Sequence, residues 1–343
     1  MLTKKECIHS SGQGRYFTVK VYLVGGAVRD SLLGREIHDR DYVVVGSSVS
    51  EMKSLGFIQV GKDFPVFLHP KTNEEYALAR KETKSGDGYK GFEFESGDDI
   101  TLKDDLFRRD FTVNAMALDE SQNLFDPFNG KSDLEKRTLR HVSDHFHEDP
   151  LRVLRGLRFC ADLEFMFAET TIIKIREMIV SNELDFLSKD RVFLEFSKVL
   201  NLNRFVELLV EFNLFSFIFP GILFGKDINN LDELLSYREN DTIFDHYTFK
   251  RQVVSFQKSF IKFKHLYEKE GLTANSLYQF FKFFRKDELA IVKAVKILKK
   301  HQIDLDELAI LNLLKEYKSL KVPLEASPKE IQAFYLDFIE KSF

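Results

Sequence analysis

Two aspartates separated by a single arginine have the residue type and spacing of a metal site. Asp39 and Asp41 directly precede the apolar run YVVVG, which predicts a buried strand. Because side chains two positions apart in a strand point to the same face, we expect both carboxylates to project together. Such a pair suits Mg²⁺, which can activate an attacking hydroxyl and stabilise a leaving pyrophosphate. The alternative is a pair of solvated acids where the strand begins.

A candidate phosphate-binding turn lies upstream of this pair. Gly25 and Gly26 follow the predicted strand VKVYLV (19–24), and a short helix follows them. Glycines let backbone N–H groups approach phosphate oxygens closely, and a helix N-terminus favours negative charge. Arg29 lies one turn into that helix, placed to reach a triphosphate. The sequence therefore predicts a phosphate site and a metal site at the ends of neighbouring strands.

The elements that must position these residues change in character along the chain. Short β-rich segments alternate with short helices in the first part, where Ser48 is the predicted N-cap of one helix. From about Arg140 onwards, apolar residues recur at helical spacing. We therefore predict an α/β (α+β) domain followed by an all-α region. The predicted boundaries are a short, disordered lead-in at 1–18, the mixed domain at 19–139, and helical parts at 140–205 and 206–343.

The composition excludes several classes of protein. Hydrophobic residues make up 44% of the chain and charged residues 30%, which is typical of a globular protein in water. No apolar run approaches about 18 residues, so we expect no membrane contact through a spanning helix. Cys7 and Cys160 are too few for a disulfide framework or a four-thiolate zinc site. This cysteine usage favours the reducing cytoplasm as the protein's location.

Four motifs in order carry a resemblance to a known family. LVGGAVRDSLLGREIHDRD resembles the signature of the class II tRNA nucleotidyltransferases and bacterial poly(A) polymerases, within the polymerase β superfamily. The family's later motifs are matched by RRDFTVNAMA (108–117), DPFNG (126–130) and EDPLRVLR (148–155). The likeness is closest to CCA-adding enzymes of the gamma-proteobacterial type. It implies a nucleotidyltransferase head at 19–139, a nucleotide-recognition neck at 140–205, and a tRNA-binding body and tail at 206–343.

The fourth motif contains the residues that the resemblance assigns to base recognition. Asp149, Arg152, Arg155 and Arg158 recur every third residue, which predicts one polar stripe on a helix. Cytosine and adenine both present an exocyclic amine beside an unprotonated ring nitrogen, whereas uracil and guanine present a carbonyl beside a protonated ring nitrogen. Asp149 accepting from the amine and Arg152 donating to the ring nitrogen therefore select C and A together. Arg155 and Arg158 are expected to contact the nucleotide and its phosphates; a solvated charged face is the alternative.

The resemblance implies roles for three further residues. Arg109 and Asp110 are expected to contact the sugar and the phosphates, and a helix-capping role is the alternative for Asp110. Glu75 lies on a later predicted strand and is a candidate third metal ligand. A surface-facing strand glutamate is the alternative for Glu75.

Two segments bear on which reaction of the family this chain performs. Poly(A) polymerases of the family usually carry two basic residues before Phe in a G-basic-basic-F segment. This chain has Asp63 at the second of those positions, in GKDF (61–64), which favours tRNA end-processing. The loop KETKSGDGYKGFEF (81–94) resembles one that CC-adding enzymes lack, which favours addition of the final A as well.

The resemblance therefore implies template-independent addition of CCA to the tRNA 3′ end from CTP and ATP, with Mg²⁺ as cofactor. An A-adding enzyme, a CC-adding enzyme, a poly(A) polymerase and a non-catalytic RNA-binding protein are the alternatives. Beyond residue 200, none of His246, His265 and His301 precedes an aspartate, so we predict no phosphohydrolase activity. Both a monomer and a homodimer are compatible with the sequence.

Overall fold

A computed structural model describes residues 19–60, 66–84, 92–95, 100–225, 227–321 and 326–342. The chain divides into two compact units, Met1–Asn201 and Leu202–Phe343. The predicted lead-in at 1–18, the GKDF segment at 61–64 and residues 85–91 of the predicted loop at 81–94 lie outside the described residues.

A seven-stranded mixed sheet is the framework of the first unit. The strands in chain order are β1 (Lys20–Val24), β2 (Asp41–Val45), β3 (Ile58–Val60), β4 (Val66–Leu68), β5 (Glu75–Leu78), β6 (Lys81–Lys84), β7 (Phe92–Glu95), β8 (Ala117–Leu118), β9 (Leu124–Phe125), β10 (Thr138–Leu139) and β11 (Met166–Phe167). Seven of them form one sheet in the order β3-β4-β5-β2-β1-β8-β9. Strands β2 and β5 are parallel, and the other neighbours in this sheet are antiparallel. Separate two-stranded sheets pair β6 with β7 and β10 with β11.

Short helices connect the strands, and longer ones follow the sheet. The helices of the first unit are α1 (Gly26–Leu32), α2 (Val49–Ser54), α3 (Leu102–Phe107), α4 (Gly130–Glu135), α5 (Leu151–Leu163), α6 (Glu169–Val180) and α7 (Lys189–Phe196), with 3-10 turns at Thr112–Asn114, Asp144–Glu148 and Glu183–Phe186. The predicted N-cap is confirmed, because the Ser48 hydroxyl accepts from the Glu51 N–H at 3.3 Å while the Glu51 carboxylate accepts from the Ser48 N–H at 3.0 Å.

Side-chain alternation along β1 and β2 separates two hydrophobic cores. Val24 and Val43 are buried on one face with Leu106 of α3, whereas Val44 is buried on the other with Met52 of α2. Because residues two apart in a strand share a face, Asp41 projects from the face that carries Val43.

The second unit is built from helices around a phenylalanine-rich core. Its helices are α8 (Leu202–Glu211), α9 (Phe215–Ile218), α10 (Leu231–Ser236), α11 (Thr242–His246), α12 (Arg251–Glu270), α13 (Ala274–Phe283), α14 (Glu288–Lys300), α15 (Glu307–Ser319) and α16 (Pro328–Ser342). Phe260, Phe263, Phe280 and Phe281 are all fully buried in one cluster. The predicted order of a mixed domain and then a helical region is confirmed for the described residues.

The domain boundaries stay predictions in detail. The boundary predicted after residue 205 falls inside α8, whereas the two compact units separate immediately before that helix. In the part of the chain that the structure describes, no helix is both long enough and apolar enough to cross a membrane.

The third motif, DPFNG (126–130), joins two segments of backbone that support the site. The Asp126 carboxylate accepts from the N–H groups of Gly130 at 2.7 Å and Lys131 at 2.9 Å, which satisfies donors in the first turn of α4. At Gly130, a Cβ atom would lie 2.2 Å from the carbonyl oxygen of Thr112. Glycine is therefore required for α4 to pack against the second motif, RRDFTVNAMA.

We expect Gly130→Ala to lower the free energy of unfolding by about 3 kcal/mol, the upper end of the cost of overpacking, because the atom it meets belongs to the backbone. Urea denaturation measures this value. The matched control is Lys131→Ala, which truncates the adjacent exposed side chain and leaves the contact unchanged. Equal stability of the two variants would contradict the packing argument.

Candidate active site

The register of four strands brings the candidate metal and phosphate residues to one end of the sheet. Asp41 pairs with Val24, the last residue of β1, and with Glu75, the first residue of β5. Val24 also pairs with Ala117 of β8. Gly25 follows Val24 directly, so the predicted phosphate turn and Asp41 lie side by side.

The structure corrects the strand geometry that was predicted for the aspartate pair. Strand β2 begins at Asp41, so Asp39 lies in the loop before it and is not placed by strand alternation. The two carboxylates still interact. The pKa of Asp41 is raised above its ordinary value, chiefly by desolvation; the Arg109 guanidinium opposes that rise and the Asp39 carboxylate adds to it.

The donor set fits a divalent cation that needs few protein ligands. Asp39 and Asp41 provide two carboxylates whose mutual repulsion a bound cation relieves. Glu75 is exposed beside Asp41, yet the described residues contain no group of three or more His, Cys, Asp or Glu side chains that could hold a metal ion. Mg²⁺ is commonly held by one or two carboxylates together with water and substrate phosphates, so the pair is sufficient without Glu75.

Arg109 lies across the glycine turn, where the second motif meets the end of β1. Gly25 has a φ of 70°, and a Cβ atom there would lie 2.9 Å from Nη1 of Arg109. Nη2 of Arg109 donates to Asp105 at 3.3 Å, and its buried Nε has no hydrogen-bond partner among the residues that the structure describes. A polar atom buried without a partner is costly, so this Nε is a donor that a ligand oxygen would satisfy.

Asp105 holds this guanidinium and was missed by sequence reasoning. It is fully buried on α3, and its carboxylate accepts from Arg108 at 2.7 Å as well as from Arg109. Burial alone raises the pKa of Asp105, but the two arginines together lower it below its ordinary value. The sequence signal that could have identified Asp105 was an acidic residue on the apolar face of a short helix.

Asp110 is buried and organises neighbouring side chains. Its carboxylate accepts from Nε of Arg155 at 2.8 Å and from Nδ2 of Asn114 at 3.1 Å. Oδ1 of Asn114 in turn accepts from Nη1 of Arg29 at 2.8 Å. Asp110 thereby links the predicted phosphate ligand Arg29 to the fourth motif, and Asn114 is a site residue that sequence reasoning did not single out.

The helix-capping alternative for Asp110 is wrong. The 3-10 turn Thr112–Asn114 has Phe111 as its N-cap, without a side-chain cap. Asp110 instead accepts from the N–H of Phe111 at 2.8 Å.

Three of the predicted arginines surround one aromatic ring. The guanidinium carbons of Arg29, Arg155 and Arg158 lie 5.1, 5.4 and 4.3 Å from the ring centroid of Phe159. Arg29 also makes two bonds to the Asp30 carboxylate. Cation–π contact with a buried ring orients these cations, and sequence reasoning missed Phe159 because it reads as an ordinary core position.

The prediction that Asp149 lies on the same helical stripe as the three arginines of the fourth motif is wrong. Helix α5 begins at Leu151 with Pro150 at the N-cap, so Asp149 precedes the helix in an extended conformation. Arg152 is nearly buried and donates to the carbonyl oxygens of His145 and Arg108, each at 2.7 Å.

Two residues of α7 complete the fourth motif and were not predicted. Arg191 donates to both carboxylate oxygens of Asp149, at 3.0 and 2.9 Å. Glu195, one turn later, accepts from Nε of Arg158 at 2.6 Å. Glu195 is only 2% exposed and shares a buried face of α7 with Val192 and Phe196. A charged residue on this otherwise apolar face was the sequence signal that could have identified it.

Comparisons with known proteins identify two matched regions. Residues 21–140 match the family model of the poly A polymerase head domain. Residues 164–224 match the model described as the probable RNA and SrmB-binding site of polymerase A. The first region contains the aspartate pair, the glycine turn and the second and third motifs.

The chain is similar to curated proteins with CCA in their names. It is 51% identical over 215 residues to the multifunctional CCA protein of Acinetobacter baylyi, covering 60% of this chain and 52% of that protein. It is 52% identical over 212 residues to the CCA-adding enzyme of Buchnera aphidicola, with coverage of 60% and 52%. The match thus spans about half the length of these relatives.

Solved structures resemble the chain over nearly its whole length. The Thermotoga maritima CCA-adding enzyme complexed with tRNA-CCA has a TM-score of 0.68 and 20% identity, covering 94% of this chain and 87% of that one. The Bacillus stearothermophilus CCA-adding enzyme in complex with CTP has a TM-score of 0.68 and 21% identity, covering 94% and 89%. The fold is therefore shared with these solved structures: a mixed α/β sheet domain followed by a mostly helical region.

The charge on Asp110 gives a pH-dependent prediction. Burial raises its pKa, but Arg155, Asn114 and Arg152 outweigh that effect and hold the pKa at about 2. A depressed pKa stabilises the folded state above the unfolded value of about 3.9, and that stability is lost as the pH falls towards 2. We expect Asp110→Asn to lower the free energy of unfolding at neutral pH by about 3 kcal/mol, because Arg155 loses its buried partner.

Urea denaturation at several pH values tests this expectation. The difference between wild type and Asp110→Asn should be constant from about pH 7 to pH 5 and shrink below about pH 4. Asp185→Asn, which changes an exposed acid, is the control and should show little difference at any pH. A difference that grows as the pH falls would refute the assigned direction of the pKa shift.

Proposed function

We propose that the chain, a member of the tRNA nucleotidyltransferase and poly(A) polymerase family, adds CCA to the 3′ end of tRNA without a nucleic-acid template. CTP and ATP are the proposed substrates, and pyrophosphate is the product that leaves. The observation that carries the proposal is the meeting of Asp39, Asp41, Gly25 and Arg109 at one end of a head-domain sheet. The names of the relatives that match this region at about half identity support CCA as the added sequence.

Asp39 and Asp41 are the proposed ligands of a divalent metal ion, Mg²⁺. When bound there, Mg²⁺ would lower the pKa of the terminal 3′-OH and neutralise charge on the phosphates. The 3′ oxygen of the tRNA attacks the α-phosphate of the incoming nucleotide, a phosphodiester forms, and pyrophosphate departs. Gly25 leaves the backbone open to the triphosphate, and the unpartnered Nε of Arg109 supplies a donor to it.

Asp149 and Arg152 are the proposed base-recognition pair. Arg152 uses one N–H of each terminal nitrogen on backbone carbonyls, so donors remain for an unprotonated ring nitrogen. Asp149 accepts from the exocyclic amine, which cytosine and adenine share. Arg29, Arg155 and Arg158, already oriented around Phe159, are proposed to attract the nucleotide and its phosphates.

Incorporation into three forms of one tRNA tests the proposal. The tRNA ends before CCA, at CC or complete, and each nucleoside triphosphate is supplied singly with Mg²⁺. We expect C to be added to the first form, a single A to the second and nothing to the third. A ladder extending beyond one A would instead support a poly(A) polymerase. Addition of A without C would identify an A-adding enzyme, and no incorporation would support a non-catalytic RNA-binding protein.

We expect Asp41→Asn to lower kcat by at least about a thousandfold, because it removes a proposed metal ligand that acts on the transition state. Binding of CTP should survive in part, since Arg109 and the glycine turn remain. Mn²⁺ binding followed by electron paramagnetic resonance should weaken, which reports on the metal independently of turnover. Glu36→Gln, an exposed acid in the same loop as Asp39, is the control. Near-normal turnover in Asp41→Asn would exclude Asp41 from the metal site.

A further inference from the structure

Arg191 of α7 makes a two-point contact with the proposed base-reading carboxylate. Its Nη2 lies 3.0 Å from Oδ1 and 2.9 Å from Oδ2 of Asp149. Both side chains are largely shielded, with 26% of Arg191 and 23% of Asp149 exposed. An ion pair shielded in this way holds its geometry better than one on the open surface.

The contact leaves Asp149 with a restricted capacity to accept hydrogen bonds. An ionised carboxylate has about four acceptor positions, two on each oxygen. Oδ1 accepts from Arg191 and from the N–H of Leu151 at 3.1 Å, so both of its positions are used. Oδ2 accepts only from Arg191 among the described residues, which leaves it one position for a further donor. One N–H of an exocyclic amine fills that position.

The backbone holds the Asp149 carboxylate at one oxygen only. Residue 149 precedes α5 in an extended conformation, with φ −123° and ψ 102°, and among the described residues the N–H of Leu151 is the one backbone donor to its carboxylate. Arg152, by contrast, is anchored by two backbone carbonyls. The relative position of the two base-reading groups therefore depends on what holds Asp149.

A second ion pair anchors α7, the helix that carries Arg191. Glu195, one turn after Arg191, is buried and bonds to Arg158 of α5 at 2.6 Å. Arg191 and Glu195 lie four residues apart, on one side of the helix. The two ion pairs of opposite polarity thus join α7 to Arg158 of α5 and to Asp149, two residues before that helix.

We propose that Arg191 is a positioning residue for base selection: it holds the Asp149 carboxylate at the one place where C and A are accepted together with Arg152. This inference rests on the proposed function. Without Arg191, the N–H of Leu151 is the one donor among the described residues that still holds the carboxylate, so the free oxygen turns about that bond. It can then accept from the protonated ring nitrogen of uracil or guanine. Selectivity is lost because a misplaced acceptor no longer distinguishes an amine from a ring N–H.

The test compares kcat/KM for CTP and UTP on tRNA lacking CCA. For Arg191→Ala we expect the preference for CTP over UTP to fall by about tenfold or more, mainly through KM for CTP. Arg191→Lys keeps the charge without the planar guanidinium and should fall between wild type and Arg191→Ala. The matched control is Lys189→Ala, which removes a positive charge from the exposed side of the same helix and should preserve selectivity.

A double-variant comparison separates positioning from general stabilisation. Asp149→Ala should itself relax discrimination against UTP and GTP, and adding Arg191→Ala should relax it no further. Additive losses of selectivity, or equal losses for all nucleotides together with a lowered melting temperature, would overturn the positioning role. If Arg191→Ala does not fold, Arg191→Lys decides the question by the same selectivity ratio.

Nucleotide incorporation by the wild-type protein distinguishes this inference from the proposed function on which it rests. Incorporation of C and A by wild type, with undiminished selectivity in both Arg191 variants, would reject the positioning role alone. Failure of wild type to incorporate CTP or ATP would remove the proposed function, and the inference with it.

Discussion

A buried carboxylate that must stay ionised constrains the first unit more than any other group. Asp110 is shielded from water, so its charge is tolerated only because donors surround it. Those donors come from the second motif and from α5, and Asn114 carries the connection on to Arg29 of α1. Three segments distant in sequence are thereby held in one arrangement, and the donors that they supply lower the pKa of Asp110.

Around the proposed nucleotide site, other charged side chains are likewise held by a partner of opposite charge. Asp105 holds Arg109 and Glu195 holds Arg158, while Arg191 holds Asp149. Each charged side chain proposed to meet a nucleotide is therefore already paired and oriented within the protein. Such preorganisation reduces the conformational entropy lost when a substrate binds.

The second unit makes a different use of its polar groups. Nε2 of His301 lies 2.8 Å from Oγ of Ser236, and burial lowers the pKa of His301 to about 4. This half-buried histidine is therefore neutral at neutral pH, and it packs against the ring of Tyr237. The ring of Phe260, which belongs to the phenylalanine-rich core, lies 5.7 Å from the His301 ring. The predicted absence of phosphohydrolase activity stays a prediction.

Local chemistry made much of the fold readable from the sequence. The cap at Ser48, the turn at Gly25 and the helical spacing of the second half depend on hydrogen bonds and periodicities within a few residues. The tertiary structure alone decided how the site is held together. Asp39 lies outside the strand, and Asp149 lies outside its helix and is paired with a residue 42 positions away. Such pairings depend on how α5 packs against α7, and no local pattern of residues specifies that packing.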